Sequence, residues 1–568
     1  MSRFRLRRRL GKLVAPRKNT EIYPDEIFLD ASNLPAFDRS QMEGRIEKPI
    51  SRRSIRILLG IVILVILIFS GRLFILEVVR GAEYEELSQN NRLKHSTIFA
   101  DRGIIYDSRG EELAWNEPNP YGDFSLRKYS ELPGLAHVIG YVTYPKQDSS
   151  GNYYETDFQP KDGVEESYNA ELSGTPGVKI VETDAKDKPR SESVLELPRS
   201  GKNITLSLDA QMSSALYKEI ARLANEVGFA GGAGVLMDVR TGEVIALTSF
   251  PEYDPNVMAS GSPKALIEKY LGDPGKPFLN RDTSGLYTPG SIIKPFIAAG
   301  ALTEGIISPE KQILSTGQIS IPNPYDPTKE TVFKDWKAHG YVDMRHALAV
   351  SSDVYFYEVG GGFESQKGLG IANIEKYMRM FGFGSSTGLT WSGEAEGSIP
   401  SPQWKALHFP DDPTWRIGNT YHSAIGQYGF QVTLMQVVRA VGAIANGGRL
   451  ITPTILSEDV GTSKELPLSD DVLQIVREGM RLATREGTAT ALNFPEITIA
   501  AKTGTAELGA SKDHVNSWVT GFFPYENPRY AFAITMERGR SGNLIGASAV
   551  ARSFFEWLYA NRPEIVQE

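Results

Sequence analysis

The chain has 568 residues, of which 41% are hydrophobic and 23% charged, with a formal net charge of −8. That much apolar material excludes a disordered chain, and the acidic balance argues against a nucleic-acid partner. Cysteine is absent, which excludes disulfides, thiol catalysis and thiolate metal sites.

Charge is uneven along the chain. Residues 1–56 carry 14 Lys and Arg against 7 Asp and Glu, and the remainder carries 47 against 62. Residues 1–56 are read as a cytoplasmic basic tail, with 19–50 a polar linker. Beside a membrane span, the run SRFRLRRRLGK serves topology and anionic lipid more simply than nucleic acid. Residues 57–79 are apolar except for Arg72 and Glu77, long enough for one transmembrane helix. The stretch lacks the polar stripe of a core helix, and the segment before it is too long for a signal-peptide n-region. Arg52, Arg53 and Arg56 flank its N-terminal side, so the positive-inside rule predicts a single-pass anchor with an extracytoplasmic remainder.

Residues 80–200 read as an irregular, strand-rich module with no helix of helical period and no catalytic cluster. Within it, Asp101–Leu113 predicts strand, turn and strand, the turn at Asp107–Gly110. From residue 201 the texture changes. Leu208–Val227 has helical spacing behind an Asp209 cap, and two apolar runs flank Arg240-Thr241-Gly242 as a hairpin. Asn516–Phe523 and Tyr530–Met536 predict a second strand pair, and Ala547–Ala560 a closing amphipathic helix. Strand pairs at both ends with helices between predict an α+β fold, an antiparallel sheet flanked by helices, on the strand-rich pedestal.

Three Ser-x-x-Lys patterns occur: Ser125/Lys128, Ser291/Lys294 and Ser308/Lys311. Only Ser291 follows a Pro-Gly break and opens an apolar helix. There a lysine one turn on reaches the serine, and free backbone N–H groups can stabilise an oxyanion. Ser351 and Asp353 sit in the apolar run Ala347–Tyr357, read as helical, where they either cap a turn or point into a site. Lys502-Thr503-Gly504-Thr505 follows a strand-like run, and Gly504 would let a substrate backbone lie along the strand edge.

In this order, Ser-x-x-Lys, Ser-x-Asp and Lys-Thr-Gly form the pattern of penicillin-recognising serine enzymes. The chain resembles the class B penicillin-binding proteins, specifically the elongation-type, penicillin-binding protein 2-like transpeptidases. DRGIIYDSRGEELA, GVEESYNAELSGTPG, MDVRTGEVIALTSFPEYDPN, YTPGSIIKP, KTGTAE and WVTGFFP carry the likeness, which runs from the span to the C-terminus. It implies a pedestal resembling the family's dimerisation domain over 80–200 and a transpeptidase domain over 201–568. It also implies a peptidoglycan D,D-transpeptidase that cross-links stem peptides through an acyl-enzyme on Ser291, is acylated by β-lactams, and needs no cofactor.

By the same resemblance, Lys294 is the base, Ser351 relays the proton, and the N–H groups of Ser291 and Thr505 form the oxyanion hole. Thr503 and Thr505 hold the substrate carboxylate, with Lys502 supplying charge. Implied partners are a SEDS-family, RodA-type glycosyltransferase and other elongation-complex proteins at the bacterial cytoplasmic membrane. Departures from the pattern are Asp353 where the wider family has Asn, and Gly426-Gln427-Tyr428 in place of Gly-Gln-Gly. Some relatives bind zinc near the second motif through a Cys and a His; here Asp335 and His339 have no Cys beside them, so no metal is assigned. Asp353 is expected to pair with Lys502, leaving Lys294 neutral. A carboxypeptidase or β-lactamase would use the same serine, and a β-lactam sensor the same fold.

Overall fold

The computed structural model describes residues 51–566, apart from 121, 150–152, 184–188, 324, 327, 392, 458, 510 and 544. The basic run and the polar linker lie outside the described residues. Two units are distinct, residues 1–92 and 93–568.

In the first unit, Arg52–Phe74 forms α1, capped by the Ser51 hydroxyl, which accepts from Ser54 N. A π turn over Ile75–Val79 follows. Arg52–Val79, mean hydropathy 2.7, is the one helix among the described residues long and apolar enough to cross a membrane. Gly81–Arg92 then forms α2, a helix without the helical period that the sequence reading looked for. GAEYEELSQNNR has too few large apolar residues for a stripe, so intrinsic propensity rather than periodicity carries this helix.

The second unit begins with short strands: β1 Leu93–Ile98, β2 Ile105–Tyr106, β3 Glu112–Glu117 and β4 Leu126–Tyr129. Beyond several other short strands come β5 Gly177–Thr183, β6 Pro189–Glu196 and β7 Ile204–Thr205. They form a β1-β5-β6 sheet and a β7-β2-β3-β4 sheet, in which β7 runs parallel to β2. The predicted turn is present: Asp107 Oδ1 accepts from Arg109 N at 2.9 Å and Glu111 N at 2.7 Å. Its Oδ2 accepts from Ala210 N at 3.2 Å, tying the turn to the next helix.

That helix, α3 Ala210–Val227, starts where Asp209 accepts from Met212 N at 2.9 Å, as the sequence predicts. β8 Gly231–Asp238 and β9 Val244–Phe250 form the expected hairpin. The chain then runs through α4 Lys294–Thr303, α5 Met344–Val350, α6 Asp353–Gly361, α7 Leu434–Ala445 and α8 Asp470–Glu486. It ends in β10 Ala500–Leu508, β11 His514–Phe523, β12 Tyr530–Arg540 and α9 Ala547–Asn561. Order β9-β8-β12-β11-β10 makes one antiparallel sheet.

Both faces of this sheet are covered, because successive residues of its central strands are apolar and point to opposite faces. Leu236, Phe532 and Ile534 pack with Leu216 of α3 and Phe555 of α9. Val235, Met237 and Ala533 face the other way, into a core shared with Val437 and Val441 of α7 and Phe296 of α4. That second core also takes in Leu113, Val164 and Leu206, so the pedestal strands and the catalytic sheet are packed together.

Candidate active site

Ser291 lies in a 3₁₀ turn, Gly290–Ile293, that leads directly into α4. The break before it is enforced by close packing: Gly290 has φ +58°, and a Cβ there would sit 2.9 Å from the Thr505 carbonyl oxygen. Gly426 backs the same turn, since its own Cβ would meet Gly290 O at 2.2 Å. Trp518 Nε1 donates to Thr288 O at 3.1 Å, fixing the approach to Ser291. The serine is half-buried.

One turn on, the Lys294 side chain is fully buried. Its Nζ donates to Asp353 Oδ1 at 2.6 Å, Ser351 O at 2.9 Å and Ser351 Oγ at 3.3 Å. An ammonium has three donors, and all three are used. The Phe356 ring centroid lies 5.3 Å from the same nitrogen. The Ser351 region is not the continuous helix that the sequence suggests. Ser351 has φ 58° and ψ 42°, a left-handed conformation uncommon for serine, and it ends α5. Ser352 then caps α6, accepting from Tyr355 N at 3.3 Å. This sharp reversal turns Ser351 Oγ and the Asp353 carboxylate to the same lysine.

β10 brings the third motif against the Ser291 turn. A Cβ on Gly504 would meet Ile292 Cγ2 at 2.9 Å and Pro289 O at 3.0 Å, so only glycine permits this approach. Strand alternation sends Lys502 to the buried side with Gly504, and Thr503 and Thr505 to the other. Thr505 is exposed and Thr503 half-buried, its Oγ1 donating to Thr488 Oγ1 at 2.6 Å. Lys502 is fully buried and donates to Thr503 O at 2.8 Å. Burial, and then the positive charge of Lys294, push the Lys502 ammonium well below its usual range, with Asp353 opposing.

The structure corrects one expectation: Asp353 pairs with Lys294, not with Lys502. The carboxylate sits at the first position of α6, and the left-handed Ser351 swings that helix start towards α4. The other two Ser-x-x-Lys pairs are separated from this cluster. Lys311 Nζ is held by Gln366 Oε1 at 2.7 Å, and Lys128 lies in β4 of the pedestal. Sequence reasoning missed Thr488, and it considered Asp335 only as a possible metal ligand. Asp335 in fact touches the second motif, accepting from Val354 N at 3.0 Å and Ser352 Oγ at 2.8 Å. Neither carries a motif signal, because each meets the site only through folding.

The zinc of some relatives does not fit this chain. Asp335 Oδ1 and His339 Nε2 stand 3.5 Å apart, and no cysteine exists to join them. Among the described residues no group of three His, Cys, Asp or Glu is placed to hold a metal ion.

Comparison with known proteins shows the family. The penicillin-binding protein transpeptidase domain matches residues 232–556, and the penicillin-binding protein dimerisation domain matches residues 120–206. The peptidoglycan D,D-transpeptidase MrdA of Acinetobacter baumannii is 29% identical over 91% of this chain and 89% of its own. Among solved structures, Pseudomonas aeruginosa PBP2 in complex with WCK 5153 has TM-score 0.66 at 30% identity, covering 82% of this chain and 98% of that one. The Helicobacter pylori PBP2–MreC complex has TM-score 0.68 at 27% identity, covering 83% and 100%. With a transpeptidase domain behind a dimerisation domain and its likeness to PBP2 and MrdA proteins, the chain belongs to the class B penicillin-binding proteins, as a serine acyltransferase of their elongation-type branch.

Proposed function

We propose that this protein is the membrane-anchored D,D-transpeptidase that cross-links peptidoglycan stem peptides during cell elongation, with Ser291 as its nucleophile. The observation that carries this reading is the convergence of Lys294, Ser351, Asp353 and Lys502 behind the turn that bears Ser291. Ser291 Oγ attacks the carbonyl of a terminal D-alanyl-D-alanine bond, and the leaving D-alanine takes a proton. An amine of a second stem then takes the acyl group, and Ser291 recovers its proton. The N–H groups of Ser291 and Thr505 stabilise the developing oxyanion. Thr503 and Thr505, on the more open side of β10, hold the terminal carboxylate.

Two amines and one carboxylate share the site. One carboxylate offsets one ammonium, so the surplus proton is readily lost and one amine is neutral, the state a base needs. Asp353 is on Lys294, so the push towards a neutral amine falls on Lys502. Lys294 is nonetheless the amine one turn from Ser291, and its contact with Ser351 Oγ gives the leaving group a proton path.

The 80–200 pedestal positions this machinery, and 201–568 performs the chemistry. The tail is cytoplasmic and the second unit extracytoplasmic, which Arg52, Arg53 and Arg56 before the apolar helix support. An elongation-complex partner is supported by the MreC-bound relative, and a RodA-type polymerase by the family resemblance.

Labelled β-lactam followed by intact-mass measurement and peptide mapping tests the assignment. One adduct on Ser291, lost in Ser291→Ala without loss of fold, is expected. An adduct on Ser125 or Ser308 would overturn it.

A further inference from the structure

Asp335 is not part of any of the three motifs, yet its carboxylate is more heavily bonded than theirs. Its side chain is 0% exposed. Oδ2 accepts from Ser352 Oγ at 2.8 Å, Val354 N at 3.0 Å and Ser315 Oγ at 3.2 Å, and Oδ1 accepts from Trp336 N at 2.8 Å. Two of these donors flank Asp353 directly. The Val354 N–H is one of the orphan donors of the first turn of α6, which a side chain from another segment here satisfies. Asp335 itself is held by the end of the Gln318–Pro322/Glu330–Lys334 hairpin, where its N–H donates to Gly317 O at 2.8 Å.

Burial by itself would push the Asp335 carboxyl up, but the Val354 N–H, the Ser352 hydroxyl, the Asp353 N–H and nearby Lys294 hold it below its ordinary range. It is therefore a permanent anion at neutral pH. His339, side chain 2% exposed, stands beside it with Nε2 lacking a hydrogen-bond partner, and burial lowers its pKa, keeping it neutral. Where a metal ion does not fit, an anion with four good donors remains.

What needs holding is the left-handed Ser351. A non-glycine residue in that region is strained and persists only where its surroundings over-determine it. From one side the turn is tied by Lys294 to Ser351 O. From the other, Asp335 grips Ser352 and Val354. The two ties bracket the residues whose side chains face the lysine.

We infer that Asp335 is a positioning residue for acyl transfer: its hydrogen-bonded carboxylate, in place of a metal ion, locks the Ser351–Asp353 reversal in the geometry that Lys294 requires. The inference rests on Ser291 being the acylated residue. It implies that the chemical step, more than β-lactam binding, suffers when the lock is removed, and that the carboxylate and the Ser352 hydroxyl act as one unit.

The test uses the full chain in detergent with a labelled penicillin, separating the binding constant from the maximal acylation rate. Asp335→Ala should lower the acylation rate roughly 100-fold while changing binding less than about threefold, as loss of two or more charge-assisted bonds implies. Asp335→Asn, whose Oδ1 still accepts from Ser352 and Val354, should recover about a tenth of the parental rate. Ser352→Ala should slow the parent but add almost nothing to Asp335→Ala. Chelator or added Zn²⁺ should leave the parental rate unchanged. An unchanged rate in Asp335→Ala, additive losses in the double variant, or a zinc-dependent parent would each overturn the inference. If circular dichroism shows Asp335→Ala unfolded, the Asn and Ser352→Ala variants, alone and combined, decide it: parental rates in both overturn it. A parent labelled elsewhere than Ser291 refutes the active-site reading instead, and that result comes from the mapping alone.

Discussion

Two clusters in this protein have the same set of ionisable groups and opposite chemistry. In the pedestal, Glu165 lies between Arg102 and Arg127, at 2.6 Å and 2.8 Å, with all three side chains 2% exposed or less. In the cleft, Asp353 lies 2.6 Å from Lys294, with Lys502 buried nearby. Each has one carboxylate and two basic side chains. Arginine cannot shed its proton in a protein, so the pedestal cluster is fixed. Burial would push Glu165 up, but Arg127 and Arg102 outweigh it and hold its carboxyl below the ordinary range. Lysine can shed its proton, and burial next to a second cation pushes Lys502 in that direction. Choice of cation, not the number of charges, separates a structural clamp from a proton-handling site.

The largest expected effect comes from giving the cleft the pedestal's chemistry. Lys294→Arg or Lys502→Arg replaces an amine that can lose its proton with a guanidinium that cannot, and should lower the β-lactam acylation rate by more than about 10³-fold. A rate close to the parent's would show that charge alone suffices and would end the contrast.

Next is the pedestal. Glu165→Ala leaves two buried guanidinium groups uncompensated and should cost about 3 kcal/mol, read by chemical denaturation. Acylation per folded molecule should stay within about twofold of the parent. The sign with pH follows from the depressed carboxyl: the stabilisation is present above the unfolded value near 4.3 and is lost as pH falls through the lower folded value. Stability that does not fall on acidification below about pH 4 would contradict the clamp.

A smaller effect sharpens the cleft. Asp353→Asn can still accept from Lys294 and should slow acylation about tenfold, whereas Asp353→Leu should be far worse. Asp353 opposes the lowering of Lys502, so removing its charge should move the rising limb of the acylation rate to lower pH. A limb that stays in place in both variants would place Asp353 outside the proton balance.

The last concerns a carboxyl with no cation beside it, and no effect on acylation is expected. Glu252 accepts from Gly134 N at 2.6 Å and Ala136 N at 3.0 Å, joining the end of the catalytic hairpin to the pedestal. Burial pushes it from its ordinary 4.5 up to about 7, against those two N–H groups. The folded state then binds more protons than the unfolded state in between, so stability should fall as pH rises from 4.5 to about 7. Glu252→Gln should flatten that slope, worth about 2–3 kcal/mol, in melts taken across the window. An equal slope in the variant would assign it to another group.

Much was legible in the residues alone. The Asp209 cap, the hairpin at Arg240–Gly242, the two C-terminal strands and the closing helix follow from local periodicity and turn chemistry, and the structure has them where expected. Pro289-Gly290 marked the break before Ser291 for a local reason too, since a bend needs residues that permit it. The order of the three motifs identified the family. These signals survive because each is written within a few consecutive residues.

Tertiary structure decided the rest. That Asp353 takes Lys294 instead of Lys502 depends on the left-handed Ser351, which interrupts a run that is apolar and helical by composition. Asp335 reaches Val354, Thr488 reaches Thr503, and Arg102 and Arg127 converge on Glu165, each across a gap in sequence that no periodicity encodes. Residue types fix which protons can move, because lysine titrates and arginine does not. Which carboxylate faces which cation is set by packing, since a buried charge settles where the surrounding core leaves it a partner.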